Sequence, residues 1–202
     1  MGLKERKERE KENLRRAILE AAEDLFVREG FENVSMRKIA RKIEYSPTTI
    51  YLYFQDKVHL FHCLLEDYHS QLLEALNSVE AEYDDPITTM KKQMRVYIGF
   101  GLKNPGYYKL AFMSSFADVK TDQYLTEGSF GTEAFMSLRR LVAKCINRGL
   151  FRPLDVDLIA QVLWTMNHGI TSLLITNPNF PWVDIEKLID QAIESAIEGF
   201  RS

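Results

Sequence analysis

Apolar residues recur every three or four positions along almost the whole chain, separated by caps and breakers and not by hairpin signals. Residues 4–16 are a mixed charge run, read as a frayed or solvated helix start. Leu14, Ile18, Ala21, Ala22, Leu25 and Phe26 then follow helical spacing to a stop at Gly30. Ser35 can cap a short helix through Lys42, with Met36, Ile39 and Ala40 inward. Ser46–Pro47 reads as a further start, a cap followed by proline at the first helical position. Asp56 can cap a long helix with an inner stripe of Leu60 or Phe61, Leu64, Leu65, Tyr68, Leu72 and Leu76, broken at "DDP" (84–86). Further helices are expected from about Pro86 to Leu102, after "NPG" (104–106), from about Glu127 to Arg148 and from Asp155 to about Ile175. The last is expected over Val183–Phe200, beyond "NPNFP" (177–181). Nowhere do strands alternate between turns, so the fold class is all-α.

One stretch resists this pattern. Thr48 to Phe54 is built of β-branched and aromatic residues, types enriched in strands. Read as a helix from Pro47, it sorts by face: Ile50 and Phe54, four apart, can pack inward. Thr48, Thr49, Tyr51, Leu52 and Tyr53 are left on the outer and flanking surfaces. A short helix, a tight turn and a second short helix behind a longer one make a helix-turn-helix. The outward side chains suit duplex DNA. Threonine can bond base edges or press its methyl on thymine, while tyrosine hydroxyls and lysine reach phosphates.

Charge sharpens the picture. Net charge is −3 over 202 residues, yet Ser35–Lys57 holds five basic and two acidic residues, leaving −6 for the rest. A basic segment in an acidic chain points to a local anionic partner. With 46% hydrophobic residues the chain can bury a substantial core. Cys63 and Cys145 lie far apart without CxxC spacing, as reduced thiols of a cytoplasmic protein would. "MGLKERKEREKENLRR" has no apolar block behind it, which argues against a secretory signal. No run reaches the roughly 18 uninterrupted apolar residues of a membrane span, and no membrane association is expected.

"ILEAAEDLFVREGFENVSMRKIARKIEYSPTTIYLYFQDKVHLF" (18–61) resembles the N-terminal DNA-binding domain of tetracycline-repressor-like (TetR) transcriptional regulators. The resemblance implies a DNA-binding domain over 1–57 and an effector-binding and dimerisation domain over 58–202. It also implies a helix-turn-helix over 35–54 with 47–53 as recognition helix. By the same resemblance Thr48, Thr49, Tyr51 and Leu52 face bases, and Tyr53 and Lys57 hold phosphates. Ser35 and Arg37 assist, and Tyr45, Ser46 and Pro47 complete the DNA-binding set. Glu44 departs from the pattern, since the family usually has glycine in that turn.

Beyond residue 78 aromatic and methionine side chains accumulate. In family members the corresponding helices enclose an effector pocket, which assigns Met94, Tyr97, Phe100, Tyr108, Phe112, Phe116, Phe135, Trp164, Asn167 and His168 to a small apolar or aromatic effector. "LWTMNHGITSLL" (163–174) is apolar on two faces, so it must be covered twice. With the last helix it reads as half of a four-helix dimer interface. That interface would use Ile159, Leu163, Met166, Ile170 and Leu174 with Leu188, Ile189, Ala192, Ile193, Ala196, Ile197 and Phe200. The "RGLFRP" and "LW…HG" pattern also resembles a C-terminal subfamily of these regulators. The expected protein is a homodimeric repressor released from a near-palindromic double-stranded operator by its effector, without cofactor or bound metal. A competing reading is metal or redox sensing, with His59 and Cys63 at i, i+4 and His62 and His69 nearby. No catalytic motif stands out, and no enzyme is expected.

Overall fold

The computed structural model describes residues 2–113 and 128–202. Among them are nine α-helices, one 3₁₀ turn and no strand, only an isolated antiparallel bridge between Phe151 and Arg201. The all-α expectation holds. The helices are α1 (Leu3–Glu29), α2 (Met36–Lys42), α3 (Pro47–Tyr51), α4 (Lys57–Glu82), α5 (Pro86–Lys103), α6 (Pro105–Phe112), α7 (Phe130–Asn147), α8 (Val156–Thr176) and α9 (Ile185–Glu198). Two compact units emerge. One holds the residues up to Tyr68 together with α6 from Gly106, and the other holds His69–Pro105 and the described residues from Gly128 onward. The first therefore runs past residue 57, and α4 contributes to both.

The charged N-terminus is a solvated helix start and not a frayed one: it is regular helix from Leu3, with exposed pairs such as Arg6 Nε to Glu10 Oε1 at 2.8 Å supporting successive turns. The core of the first unit is aromatic. Phe26, Phe31 and Phe61 pack with centroids 5.1–5.7 Å apart, tilted or edge to face. Around them lie Ile18, Ala22, Met36, Ile39, Ile50 and Phe54. Ser35 and Asp56 cap α2 and α4 as expected, accepting from the backbone N–H of Lys38 and His59.

Helix α2 ends in a Schellman turn, with Tyr45 N–H bonded to Ala40 C=O and Glu44 N–H to Arg41 C=O. This geometry puts Glu44 at φ +60°, where glycine has no Cβ clash. Helix α7 ends with the same two bonds, but there Gly149 takes the position at φ +68°.

The second unit packs α5, α7, α8 and α9 around Met90, Met94, Ile98, Leu141, Val142, Ile159, Leu163, Ile189, Ile193 and Ile197. Asp85, Ser129, Asp155 and Asp184 cap these helices. Gln93 is buried among them and satisfied, its Nε2 donating to Leu76 C=O (3.0 Å) and Ser137 Oγ (3.2 Å). On length and composition alone α8 is long and apolar enough to cross a membrane. Here one of its faces fills this core.

Glu44→Gly should raise stability by about 0.5 kcal/mol in urea unfolding, because relief of left-handed strain of roughly 1–2 kcal/mol outweighs about 0.4–1 kcal/mol of added chain entropy. Glu44→Val should lower it although the site is exposed. A loss of stability in the glycine variant would show that the turn is not strained.

Candidate nucleic-acid interface

Helix α3 has only five residues, of types that form helices poorly, so it must be held from outside. Ser46 Oγ accepts the Thr49 N–H at 3.1 Å, and Pro47 presets the first turn. Ile50 and Phe54 anchor the opposite side at 0% and 1% exposure. Turn bonds from Leu52, Tyr53 and Phe54 to Thr49 and Ile50 extend the coil past Tyr51. The strand-like residues are thus helical through Tyr51 and in a continuing turn at Leu52 and Tyr53, with Ile50 and Phe54 inward as the sequence predicts.

What remains outward is Tyr45, Thr48, Tyr51 and Leu52, all exposed, Leu52 at 77%. Thr49 is half-buried, with its hydroxyl 2.8 Å from Ser46 Oγ, so Ser46, Pro47 and Thr49 build the start of the helix. Tyr53 is half-buried against the core of this unit.

The basic residues of α2 divide in two. Lys38 pairs with Glu29 and Lys42 with Asp24, both acids on α1, and Lys42 leads in holding the Asp24 carboxyl below its usual range. One turn spacing away, Arg37 and Arg41 share the other face, exposed and without an ion pair among the described residues. Arg41 was not among the residues singled out from the sequence; its i, i+4 relation to Arg37 was the available signal. Ser35 is exposed beside them. Lys57 is partly committed inside the protein. Its ammonium donates to Phe31 C=O at 2.8 Å and sits 4.1 Å from the Phe31 ring centroid.

Of the residues assigned to an effector in the second unit, Met94 and Asn167 are buried, and Tyr97, Phe100, Phe135 and His168 are half-buried. Phe135, Trp164 and His168 form a connected ring set, with centroids 5.9 and 6.2 Å apart. Burial pushes the His168 imidazole below its ordinary pKa. Beside them Asn167 Oδ1 is buried without a hydrogen-bond partner. Tyr108 and Phe112 lie on α6 in the first unit, with ring centroids 4.9 Å apart. Phe116 falls outside the described residues.

The dimerisation stripe needs correction. Ile159, Leu163, Leu174, Ile189, Ile193 and Ile197 are at most 8% exposed within a single chain, and Met166, Ile170, Ala196 and Phe200 pack against the same core. Leu188 and Ala192 are half-buried. The buried members of the stripe fill the core of the single chain, and the half-buried ones border it. The outward face of α8 carries Leu158 (54% exposed), Val162 (44%), Thr165, Gly169 and Leu173 (51%) at three- and four-residue steps. A Cβ on Gly169 would meet nothing within 4 Å, so the backbone there is open to close approach.

The metal reading gains little. His59 Nδ1 accepts the Gln55 N–H at 3.1 Å, and burial raises the Cys63 thiol. No three His, Cys, Asp or Glu side chains converge among the described residues. Burial pushes His62 and His69 down to about 4, and a Cβ on Gly131 would lie 3.2 Å from the His69 ring.

A model of the bacterial regulatory proteins of the TetR family matches residues 18–64, and one of tetracyclin repressor-like C-terminal domains matches residues 90–198. The nucleoid occlusion factor SlmA of Vibrio cholerae is 28% identical over 161 residues, covering 78% of this chain and 81% of that protein. With SlmA of Alteromonas mediterranea the match is 27% over 100 residues, about half of each chain. The fold is shared with a TetR family transcription regulator from Marinobacter aquaeolei (TM-score 0.74, 19% identity, 96% and 99% of the two chains). It is also shared with the fatty acid degradation regulator FadR from Bacillus halodurans (TM-score 0.74, 17% identity, 91% and 94%).

The depressed histidines give a pH dependence with a definite sign. The unfolded chain takes up protons as pH falls through about 6.5, whereas the folded protein refuses them until about 4. Their contribution is therefore complete above pH 6.5 and declines between 6.5 and 4. His69→Gln should flatten that decline in chemical unfolding followed against pH. An unchanged slope would mean that His69 does not carry it.

Proposed function

Because the chain belongs to the TetR family of bacterial regulatory proteins, we propose that it is a homodimeric repressor whose α3 reads a near-palindromic operator and whose second unit answers to a small effector. The observation that carries the DNA-reading role is the capped five-residue α3. Thr48, Tyr51 and the C-cap Leu52 face outward there, and Arg37 and Arg41 on the preceding helix are exposed and without an ion pair among the described residues. Threonine and tyrosine there would contact bases, and the two arginines would neutralise phosphates. Tyr45 and Ser35 flank this face.

The dimer would form through the outer face of α8, from Leu158 to Leu173, with the exposed edge of α9 about Ile185. Two copies of each helix would make a four-helix interface, and Gly169 would let the backbones approach closely. Two-fold symmetry then sets the recognition helices about one DNA turn apart.

For the effector, Phe135, Trp164 and His168 offer ring faces, and Asn167 Oδ1 offers an acceptor in want of a donor. This favours a mainly apolar or aromatic molecule bearing one N–H or O–H group. Such a molecule, binding better to a dimer with its reading heads at the wrong spacing, would release the operator. An apolar effector also accords with the fatty acid degradation regulator among the proteins of the same fold.

The SlmA similarity over most of both chains supports a second reading, a nucleoid occlusion factor. Mapping bound sites genome-wide separates the two. A few sites near regulated genes accord with a repressor, and many sites spread over the chromosome with the alternative.

In a gel shift on DNA from upstream of its own gene, Thr48→Ala/Tyr51→Ala should weaken specific binding by at least tenfold while barely changing affinity for unrelated duplex. Equal binding by wild type and variant would remove α3 as the reader. Val162→Glu should convert the dimer to a monomer in sedimentation, and an intact dimer would rule out the α8 face.

A further inference from the structure

The family match begins at residue 18, but α1 begins at Leu3, so about four of its turns precede the matched segment. Those turns do not merely project into solvent. Between it and the helix-turn-helix lies an open surface groove of about 740 Å³. Lys7, Glu10, Lys11 and Leu14 line it from α1, and Ile43, Tyr45 and Tyr53 from the helix-turn-helix.

The polar inventory favours an anion. Neither Lys7 nor Lys11 has an ion pair among the described residues, and Glu10, the one acid in the lining, is already paired with Arg6. The lysines stand one helical turn apart, about 6 Å. Across from them are two phenol hydroxyls, groups able to donate to phosphate oxygen. Tyr45 also belongs to the outward surface that continues into Thr48 and Tyr51, so the groove adjoins the reading face.

We propose that this groove holds the sugar-phosphate backbone of the bound duplex, with Lys7 and Lys11 as the charge clamp and Tyr45 and Tyr53 as hydroxyl donors. The first turns of α1 thereby lengthen the footprint beyond the bases touched by α3. The clamp reads no sequence. It raises affinity for every duplex alike and sets how steeply binding falls with salt, since each neutralised phosphate releases counterions. This rests on the regulator reading above, and the test separates the two.

The probe is a mixed-sequence 30-base-pair duplex titrated by anisotropy between about 50 and 200 mM salt, a range over which phosphate contacts dominate. Lys7→Gln/Lys11→Gln should bind at least tenfold more weakly at the low-salt end, with a log–log slope shallower by about one per lysine in each bound head. Lys7→Arg/Lys11→Arg should restore both. Arg9→Gln/Arg16→Gln removes the same charge from the far side of the helix and should leave the slope near wild type. Circular dichroism verifies that α1 stays helical in each variant. If the Lys7/Lys11 pair leaves slope and affinity unchanged, or changes them no more than the Arg9/Arg16 pair, the groove is not a phosphate clamp. If wild type binds no duplex at any salt, the regulator reading falls and the clamp with it.

Discussion

The DNA-reading head depends on holding a single turn and a half of helix that could not exist alone. Five residues cannot repay the cost of helix nucleation, and threonine, isoleucine and tyrosine lose side-chain freedom in the attempt. Two anchors make up the deficit. Ser46 satisfies a first-turn donor, and Ile50 and Phe54 are driven into the hydrophobic interior that surrounds the Phe26–Phe31–Phe61 cluster. Burying two large apolar side chains contributes on the order of 1.5–3 kcal/mol each. The outward positions are thereby freed from any structural duty, which is what a surface chosen for its partner requires.

The second unit solves the opposite problem. Its helices are long and apolar on more than one side, so the question is which side is spent within the chain. Ile159, Leu163 and Leu174 on α8 and the isoleucine ridge of α9 close the protomer's own core. Leu158, Val162 and Leu173 stay outside. Buried polar groups are satisfied where packing alone is at stake, as with Gln93. Asn167 Oδ1 is buried without a hydrogen-bond partner, on the same helix as the Trp164–His168 ring pair.

Periodicity and caps made most of the fold legible. The helix starts at Ser35, Pro47, Pro86 and Asp155, and the stops at Gly30 and Gly149, are local chemistry written in adjacent residues. The outward set on α3 was legible for the same reason, because Ile50 and Phe54 fix the inner face. The faces of α8 were not. When a helix is apolar all round, a 3.6-residue period cannot say which stripe meets its own core, and the tidier stripe was the internal one. The charge run before Leu14 was legible as a solvated helix start, and what keeps it from fraying is pairing at four-residue spacing, as between Arg6 and Glu10. Composition could not reveal that half of the cations on α2 are spoken for by acids more than eight residues upstream.

Those two tethers, Lys38 to Glu29 and Lys42 to Asp24, make the head's attraction for nucleic acid adjustable from behind. Losing either acid on α1 would unleash an ammonium group without altering a single reading residue, strengthening indiscriminate adhesion to any polyanion. Glu29 and Asp24 therefore set how much of the positive charge on α2 is left uncompensated.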